Sequence, residues 1–335
     1  MKILVVMGHP AHVHFFRHFI QEMEDRGHDF LVCVKLRENT TRLLDLFGIK
    51  HRVFGKTYAT GPGKAWGVLA NDRRLLRIAR GFHPDLTASI AGLYSVHAGA
   101  LMGIPSLDFT DTEGATLTNH LTFPLATVIA TPDCYKGKVP GKKHRPYPGY
   151  HELAYLHPHR FTPDPSVPDS AGLEPGDYIV VRLSSLDARH QRKEGAMSVD
   201  EKIRLVRSLR ELGEVVVDSE TPLPRELEPY RLKVPEHEYH HILAHGKLYV
   251  GEGATAASEA GVLGTPWIYI SRRGRCYLDD QEENYGSGRT VDSLSDAISH
   301  SRALCGKDLS QGRKKMLKEK IDVTSWMVEL SEELL

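Results

Sequence analysis

A glycine-rich turn in the second half of the chain has the pattern of an anion site. The run Gly251-Glu252-Gly253-Ala254-Thr255 lies between an apolar strand pattern and a helical pattern, so its backbone N–H groups and the helix dipole can hold a diphosphate. Glu259 follows on the same helix, beside small residues, where a carboxylate could accept hydrogen bonds from a ribose diol. The alternative is a solvent-facing glutamate after an ordinary tight turn, because glycine-rich turns of this kind are common.

Three histidines occur together near the start of the chain. The segment Gly8-His9-Pro10-Ala11-His12-Val13-His14 follows the apolar run Ile3–Met7, and in an open parallel sheet ligands bind outside the carboxyl ends of the strands. We therefore predict that Gly8 contributes to a binding site and that His12 or His14 acts as a base or a hydrogen-bond donor. Helix capping and packing are the alternatives. No matched carboxylate or cysteine lies near these imidazoles in the sequence, so no metal site is predicted.

Carboxylates cluster after another predicted strand, in Asp108-Phe109-Thr110-Asp111-Thr112-Glu113-Gly114. Clustering of this kind can separate acid and base roles through the environment of each group. Glu113 is the predicted functional carboxylate. Asp108 could instead pair with a basic neighbour, and Asp111 could cap the following turn.

Donor side chains end the first strand pattern of the second half, at Arg182-Leu183-Ser184-Ser185. We expect Arg182 or Ser184 to donate hydrogen bonds to a bound diphosphate. The loop that follows is also basic, and a solvated charged loop is the alternative interpretation. A second basic run, Lys136–Arg145, has no interleaved base-stacking aromatic pattern and is interpreted as exposed linker rather than as a nucleic-acid site.

Parallel sheets are the elements that would position these residues. Short apolar runs alternate with amphipathic helical patterns, which favours parallel strands joined by crossover helices. The strand patterns begin with Ile3–Met7 in the first half and with Tyr178–Leu183 in the second. The predicted fold class is therefore α/β, with two Rossmann-like parallel-sheet domains and an interdomain cleft.

The predicted domain boundaries follow from this alternation. A proline-rich segment over residues 135–177 separates the halves, so residues 1–165 are the predicted N-terminal domain and residues 172–310 the predicted C-terminal domain. Residues 311–335 are predicted as one long amphipathic helix that packs back on the N-terminal domain, because its apolar stripe needs a tertiary surface. A strand is also expected at Leu232–Val234.

The charge balance excludes several classes of partner. Among the 335 residues, 43 Lys and Arg balance 43 Asp and Glu, so no global field favours nucleic acid or an anionic membrane. The first apolar run is too short for a membrane span or a signal peptide, and we expect a cytoplasmic protein without a transmembrane segment, with peripheral membrane contact left open. The 4 cysteines lie far apart, which indicates neither a disulfide framework nor a zinc cluster.

Three stretches resemble an uncharacterised prokaryotic family labelled domain of unknown function 354. They are Gly8–Phe16, Asn119–Ala126 and Tyr147–Leu156. The glycine turn agrees with the same family through Glu259–Pro266, so the resemblance covers nearly the whole chain. That family is itself similar to GT-B glycosyltransferases and to UDP-N-acetylglucosamine 2-epimerases, which hold a nucleotide sugar in the cleft of two Rossmann-like domains. The resemblance implies a GT-B-like fold with a C-terminal crossover helix.

The resemblance also implies roles for individual residues in the second half. Gly253, Ala254 and Thr255 would face the diphosphate. Glu259 would bind the ribose hydroxyls, and Pro235 would lie near the uracil.

Residues of the first half resemble motifs of the epimerases. Glu113 resembles the glutamate of their glutamate-alanine-glycine motif, and Asn119 resembles the asparagine of their asparagine-arginine motif, with His120 in place of the arginine. After the strand that corresponds to Leu86–Ile90, the epimerases carry glycine-aspartate, whereas this chain has Gly92-Leu93. The missing aspartate counts against epimerisation.

The resemblance thus implies a nucleotide-sugar-dependent glycosyltransferase, with a UDP-sugar as donor and an unidentified acceptor. The N-terminal domain would supply the base, at His12, His14 or Glu113, that deprotonates the acceptor hydroxyl. The C-terminal domain would stabilise the departing diphosphate. We expect no cofactor or metal besides the donor substrate. A UDP-N-acetylglucosamine 2-epimerase-like isomerase and a non-catalytic nucleotide-sugar-binding protein are the alternatives.

Overall fold

The polypeptide divides into two units in the computed structural model, which describes residues 1–56, 61–183, 197–219 and 221–334. Unit 1 comprises Met1–Tyr155 and Ile321–Leu335, and unit 2 comprises Leu156–Lys320. The first segment of unit 1 thus ends at Tyr155, before the predicted boundary at residue 165. Among the described helices, none is long and apolar enough to cross a membrane.

Each unit contains one sheet in its described residues, and the paired strands of both sheets are parallel. In chain order the strands are β1 (Lys2–Met7), β2 (Asp29–Lys35), β3 (His51–Gly55), β4 (Leu86–Ile90), β5 (Ser106–Phe109), β6 (Val128–Pro132), β7 (His144–Tyr147), β8 (Tyr178–Arg182), β9 (Glu214–Asp218), β10 (Leu248–Gly251), β11 (Trp267–Ile270) and β12 (Gly288–Val291). The sheet of unit 1 has the order β3-β2-β1-β4-β5-β6-β7, and that of unit 2 has the order β12-β11-β10-β8-β9.

Helices connect the strands in both units. In chain order they are α1 (Pro10–Asp25), α2 (Glu38–Leu46), α3 (Gly61–Phe82), α4 (Leu93–Met102), α5 (Thr116–Thr122), α6 (Leu153–Leu156), α7 (Ser166–Ser170), α8 (Val199–Leu209), α9 (Tyr239–His245), α10 (Ala254–Leu263), α11 (Cys276–Tyr285), α12 (Leu294–Leu304), α13 (Ser310–Glu319) and α14 (Val323–Glu333). Single 3₁₀ turns occur at Glu228–Tyr230 and Glu236–Glu238.

Aromatic packing fixes α1 on the sheet of unit 1. Phe15, Phe16 and Phe19 are buried on one side of the helix, and the ring of Phe15 lies 4.9 Å from that of Phe109 on β5. Burying each such ring contributes about 1.5–3 kcal/mol. Pro10 stands in the first helical turn, where its missing N–H costs nothing. The aromatic side chains therefore fix α1 to the sheet, and Pro10 favours the start of the helix directly after the β1–α1 turn.

Helix α10 is buried on almost all sides in unit 2. Its residues from Ala256 to Leu263 are buried, and the small side chains allow close approach of the neighbouring elements. A Cβ atom on Gly261 would lie 2.0 Å from Gln281 Oε1. Gln281 Nε2 in turn donates a hydrogen bond to Ser258 Oγ at 2.8 Å. This packing fixes the position of Glu259 within the helix.

Two strands differ from the sequence prediction. The predicted strand Leu232–Val234 is wrong: only an isolated bridge forms there, between Val217 and Arg231, because the chain turns at Pro235 into a 3₁₀ helix and proline cannot donate to a ladder. Strand β7, in contrast, lies inside the segment interpreted as linker. It is the edge strand of its sheet, which is where a strand tolerates Pro146.

The prediction of one helix over residues 311–335 is also wrong. The segment forms α13 in unit 2 and α14 in unit 1. Asp322 begins the second helix by accepting the N–H of Thr324 at 3.0 Å, a typical N-cap. Just before it, Lys320 is extended and its Nζ lies 3.2 Å from Asp280. Ile321 N–H donates to Pro148 O at 2.9 Å, so the backbone at Ile321 is bound to unit 1.

Asp108 fixes the turn after β4. It is fully buried on β5, and its Oδ1 accepts the Gly92 N–H at 2.8 Å and the Ser89 hydroxyl at 3.2 Å. Burial raises the pKa of Asp108 to about 7, although these hydrogen bonds act to lower it. Asp108 therefore anchors a turn, rather than pairing with a basic neighbour as one interpretation of the sequence had it.

We predict that Asp108 makes the stability of the protein depend on pH. Because its pKa is higher in the folded than in the unfolded chain, its contribution is fully present below about pH 4 and is lost as the pH rises through about 7. The slope is at most about 1.4 kcal/mol per pH unit. Asp108→Asn should remove this slope, as measured by urea unfolding between pH 4.5 and 8. Parallel curves for the variant and the wild type would contradict the assignment.

Candidate functional site

A histidine cluster forms at the carboxyl edge of the unit 1 sheet. We use this name for His9, His12, Asp111 and His151, which follow β1, β5 and β7. The rings of His9 and His12 are 6.1 Å apart, and His151 Nδ1 lies 3.2 Å from Asp111 Oδ2. His12 experiences the charges of the other three. The cluster thus joins residues that are more than a hundred positions apart in the sequence.

His12 is held as a neutral imidazole. Burial, and then the charges of His9, His151 and Arg37, lower the pKa of His12 to about 3, although Asp111 opposes them. Its Nδ1 accepts the Gly8 N–H at 3.3 Å, so the proton of the neutral ring resides on Nε2. His12 can therefore donate a hydrogen bond from Nε2 but is poorly suited to accept a proton there. Gly8, a predicted ligand, uses its N–H to set this tautomer.

His14 lies in the packing of unit 1. Its ring is buried, stacks on Tyr155 at 5.3 Å and meets the edge of Phe47 at 5.7 Å. These contacts match the packing alternative for this position. The residue is 8% exposed, so little of the ring is accessible to a reacting hydroxyl.

Asp111 and His151 have the geometry of a carboxylate–histidine dyad. Burial would raise the pKa of Asp111, but the charge and hydrogen bond of His151, with the hydroxyl of Thr112, outweigh it and hold that pKa at about 2. Since the carboxylate binds the Nδ1 side of His151, the lone pair of the ring is on Nε2. Within the described residues, that buried atom has no hydrogen-bond partner. A buried polar atom of this kind requires an explanation.

The sequence interpretation missed His151. It lies in the proline-rich segment that was interpreted as linker, where no strand or helix pattern marked it. A signal did exist, because Tyr147–Leu156 is one of the stretches that resemble the known family. Strand β7 and the turn after it bring His151 against Phe15, with the ring centroids 4.6 Å apart.

Glu113 and Asn119 contact a different segment. Glu113 Oε1 accepts the Lys136 N–H at 3.5 Å, and Asn119 Nδ2 donates to the Tyr135 hydroxyl at 3.3 Å. His120 is exposed and its Nδ1 is 2.6 Å from Thr116 O. The hydrogen bond of Glu113 thus goes to the Lys136 backbone and not to the side chains of the histidine cluster.

Close packing accounts for both glycines of the unit 2 turn. A Cβ atom on Gly251 would lie 2.4 Å from Arg182 O, and one on Gly253 would lie 3.1 Å from Arg182 Cδ. The Tyr249 hydroxyl donates to Gly253 O at 2.9 Å. Gly253 is the N-cap of α10, and no described side chain caps this helix. The N–H groups of Ala254 and Thr255 thus begin a helix at which an anion would be stabilised.

Glu252 supports the turn from inside the unit. Its Oε1 accepts the Met197 N–H at 2.8 Å, and its Oε2 lies 3.2 Å from Lys202 Nζ. The side chain of Lys202 is fully buried and that of Glu252 is only 5% exposed. Glu252 is therefore part of a buried ion pair and not a charge that faces a ligand.

Glu259 forms a second buried pair. Its Oε1 lies 2.9 Å from His240 Nε2 on α9, and both residues are buried. The alternative of a solvent-facing glutamate is thus wrong. Pro235 comes at the start of the 3₁₀ turn that leads directly into α9, so Pro235 and His240 are carried by one short segment. The position of Pro235 beside a base stays a prediction.

Arg182 lies next to the turn with its charge already balanced. Its guanidinium forms an ion pair with Asp218 at the end of β9 and lies 5.9 Å from the centroid of the Tyr239 ring. Burial raises the pKa of both Tyr239 and Tyr249, so their hydroxyls stay protonated. The other predicted donor, Ser184, and the basic loop after it lie outside the described residues.

The comparison with protein families concerns unit 1. The model described as "Protein of unknown function (DUF354)" matches residues 1–148. The resemblance to DUF354 is confirmed there. The DUF354 match includes Gly8, His12, His14 and Glu113 and ends just before His151. No curated protein matches the chain.

Solved structures with a similar fold cover nearly all of the chain. They include the S. aureus MnaA–UDP co-structure (11% identity, TM-score 0.73, covering 100% of this chain and 97% of that one). The UDP-GlcNAc 2-epimerase from Neisseria meningitidis bound to UDP-GlcNAc is similar at 12% identity (TM-score 0.72, 99% and 100%). The spinosyn rhamnosyltransferase SpnG complexed with thymidine diphosphate is similar at 14% identity (TM-score 0.69, 99% and 100%). The predicted GT-B fold is thereby confirmed, and at these identities the likeness establishes the fold alone.

We predict that the Lys202–Glu252 pair is needed for stability. Glu252→Gln removes the carboxylate charge that lies 3.2 Å from the ammonium of the fully buried Lys202 and should destabilise the protein by about 3–5 kcal/mol. Adding Lys202→Met to that variant should recover most of the loss, because it removes the buried ammonium as well. Urea unfolding of both variants measures the difference.

Glu211→Gln is the matched control for this pair. Glu211 lies 2.8 Å from Arg302, with both side chains more than half exposed, and removal of such a pair should cost less than about 1 kcal/mol. Equal losses for Glu252→Gln and Glu211→Gln would refute the structural role of the buried pair.

Proposed function

We propose that the protein is a nucleotide-sugar-dependent glycosyltransferase with a UDP-sugar as its donor. The observation that carries the proposal is the buried Glu259–His240 pair on the helix that begins at the glycine turn. A helix N-terminus accounts for anion binding, but a carboxylate inside the unit needs a further reason, because desolvation of a buried charge can cost more than its pairing returns. Recognition of a sugar diol supplies that reason.

The spacing along α10 suits a nucleotide. Glu259 comes five residues after Ala254, which is about 7–8 Å further along the helix axis. A phosphate held by the N–H groups of Ala254 and Thr255 would be too distant to meet this carboxylate. The ribose attached to that phosphate would be within its reach.

His240 is the positioning residue for Glu259 in this proposal. A carboxylate has about four lone-pair sites, so it can accept a hydrogen bond from His240 and from both ribose hydroxyls together. The contact at 2.9 Å restrains the rotation of the carboxylate. The hydroxyls then meet an acceptor in a fixed orientation, and each charge-assisted bond is worth about 1.5–3 kcal/mol.

The diphosphate is assigned to the turn that precedes this helix. Gly253, Ala254 and Thr255 would supply backbone donors there. Arg182 packs against the turn and would add N–H groups whose direction is fixed by Asp218. Ser184 remains a predicted second donor. These groups would stabilise the negative charge that develops as the diphosphate leaves the sugar.

His151 is the base that we assign to the reaction, in place of His12, His14 or Glu113. Its Nε2 would take the proton of the acceptor hydroxyl while the acceptor oxygen attacks the anomeric carbon and the bond from that carbon to the diphosphate breaks. Asp111, ionised at neutral pH because its pKa is about 2, would stabilise the imidazolium that forms. His12 would donate from Nε2 to a substrate oxygen. The proposal needs no metal.

Epimerisation of a UDP-sugar is the second candidate. Epimerases are among the structures that share the fold, and Glu113 and Asn119 both bind the Tyr135–Lys136 segment. Against it, the turn after β4 has Gly92-Leu93, and the Gly92 N–H is bound to the buried Asp108. Incubation with UDP-N-acetylglucosamine alone separates the candidates, because an epimeric UDP-sugar formed without an acceptor would favour the isomerase.

We predict that Glu259→Gln lowers the affinity for UDP by about tenfold or more. The variant keeps the size of the side chain and one acceptor oxygen but loses the charge. His240→Ala should weaken UDP binding similarly, and His240→Gln should restore part of it through the amide N–H. Isothermal titration with UDP measures all three affinities.

Glu283→Gln is the matched control, since Glu283 is exposed on α11. It should bind UDP as the wild type does. Circular dichroism confirms that each variant is folded. Unchanged affinity in folded Glu259→Gln would remove the ribose role and the main support for a nucleotide-sugar site.

We predict that His151→Ala lowers kcat by about 10²–10⁴ while the Kd for UDP stays unchanged. Asp111→Asn should lower kcat as well, because it removes the charge that stabilises the imidazolium. The measurement is release of UDP from a panel of UDP-sugars, with water and a panel of alcohols as acceptors. His120→Ala, at an exposed position, is the control. Full turnover by folded His151→Ala would exclude His151 as the base.

A further inference from the structure

Helix α5 of unit 1 buries polar side chains and exposes apolar ones. The residues it buries are Asn119 and Thr122, whereas Leu117 and Leu121 are 75% and 47% exposed. A surface helix of a globular protein normally turns its apolar stripe toward the core. The leucines of α5 therefore leave much of their apolar surface outside the core of the unit.

The exposed leucines form a continuous stripe. Leu125 is 46% exposed and follows Leu121 by four residues, as Leu121 follows Leu117. The chain remains helically turned there, because Ala126 N–H donates to Thr122 O at 2.9 Å. Residues four apart lie on the same side of a helix, so the three leucines face one direction.

The segment that contains and follows this stripe is rich in basic residues. Between Thr116 and Tyr147 the sequence has five Lys and Arg but only one acidic residue, Asp133. Four of the five basic side chains belong to exposed residues: Lys136, Lys138, Lys142 and Arg145.

The basic segment is attached to the end of α5. Lys143 Nζ donates to Pro124 O at 2.6 Å and to Phe123 O at 3.2 Å. Val139 packs against the small core cluster that contains Phe123 and Ala126. These contacts hold the cationic loop beside the leucines, so the stripe and the charges form one surface. We call this surface the α5 patch.

We infer that the α5 patch docks unit 1 on an anionic lipid surface. Leucine side chains enter the boundary between headgroups and acyl chains, and lysines beside them contact anionic headgroups, which is the pattern of interfacial binding. Since the whole chain has no net charge, the attraction has to arise from such a local cluster. The inference is independent of the proposed function, because it uses no residue assigned to nucleotide or base.

The positive charge of the α5 patch also argues against a second copy of this chain as the molecule that binds to the patch. A symmetric dimer brings the same patch of both copies together. That arrangement would place the two sets of lysines opposite each other, where like charges repel. An anionic bilayer instead complements the charges and accepts the leucines.

The test is co-sedimentation of the full chain with vesicles of phosphatidylcholine, with and without 30% phosphatidylglycerol by composition. We expect binding to the anionic vesicles that weakens as salt is added, and little binding to the neutral ones. Leu117→Gln with Leu121→Gln should lower the partition coefficient at least about tenfold. Lys138→Gln with Lys142→Gln should lower it roughly fivefold for each lysine.

Matched controls change the same residue types elsewhere. Leu46→Gln replaces a leucine on α2 that is as exposed as Leu121, and Lys307→Gln with Lys318→Gln replaces exposed lysines of unit 2. Both should bind vesicles as the wild type does. The inference is overturned if the wild type does not bind anionic vesicles, if the patch variants bind unchanged, or if the leucine variant instead abolishes a concentration-dependent dimer. If the variant with both leucines replaced does not fold, the variant with both lysines replaced still tests the inference.

Discussion

Parallel strand pairing is the constraint on which the candidate site depends in both units. Parallel pairing places the carboxyl ends of all strands of a sheet at one edge. His12, Asp111 and His151 meet because β1, β5 and β7 end there, although other strands lie between them in the sheet. The same rule brings Arg182 to the glycine turn after β10, where the Glu252 N–H binds Arg182 O. The strands supply mostly apolar side chains to the core, so most of the candidate functional side chains lie in the turns that follow the strands.

Burial then determines what each charged residue can do. Glu252 and Glu259 are seven residues apart on a single strand–turn–helix segment, yet each has a different partner, Lys202 or His240. In the pair with Lys202, the carboxylate of Glu252 compensates a buried charge and also accepts the backbone N–H of Met197. The pair with histidine orients a carboxylate. Asp111 with His151 follows the second pattern, with the imidazole as the group that is oriented.

Local patterns predicted most strands and the glycine turn, because continuous apolar runs and glycine positions are properties of short segments. They identified Glu259 but not His240, since the partner comes from another helix and only the folded chain brings it near. His151 was hidden in a proline-rich stretch whose short edge strand has no hydrophobic pattern. The break before α14 depends on a single capping residue, Asp322, within an otherwise continuous amphipathic pattern. Contacts over long sequence separations account for the missed His240 and His151, whereas the missed break follows from a local hydrogen bond of one side chain.

The return of the chain to unit 1 affects the order in which the two units are completed during synthesis. Helix α14 packs against α1, and the rings of Trp326 and Tyr147 have their centroids 4.9 Å apart, so the first unit lacks this cover until α14 is made. All of unit 2 is translated in between, which takes roughly ten to thirty seconds at about 5–20 residues per second. Unit 2 is one uninterrupted segment and can finish its core first, although the ribosome reaches it second. The nascent first unit therefore exposes apolar surface for longest, which is the period in which chaperones would engage it.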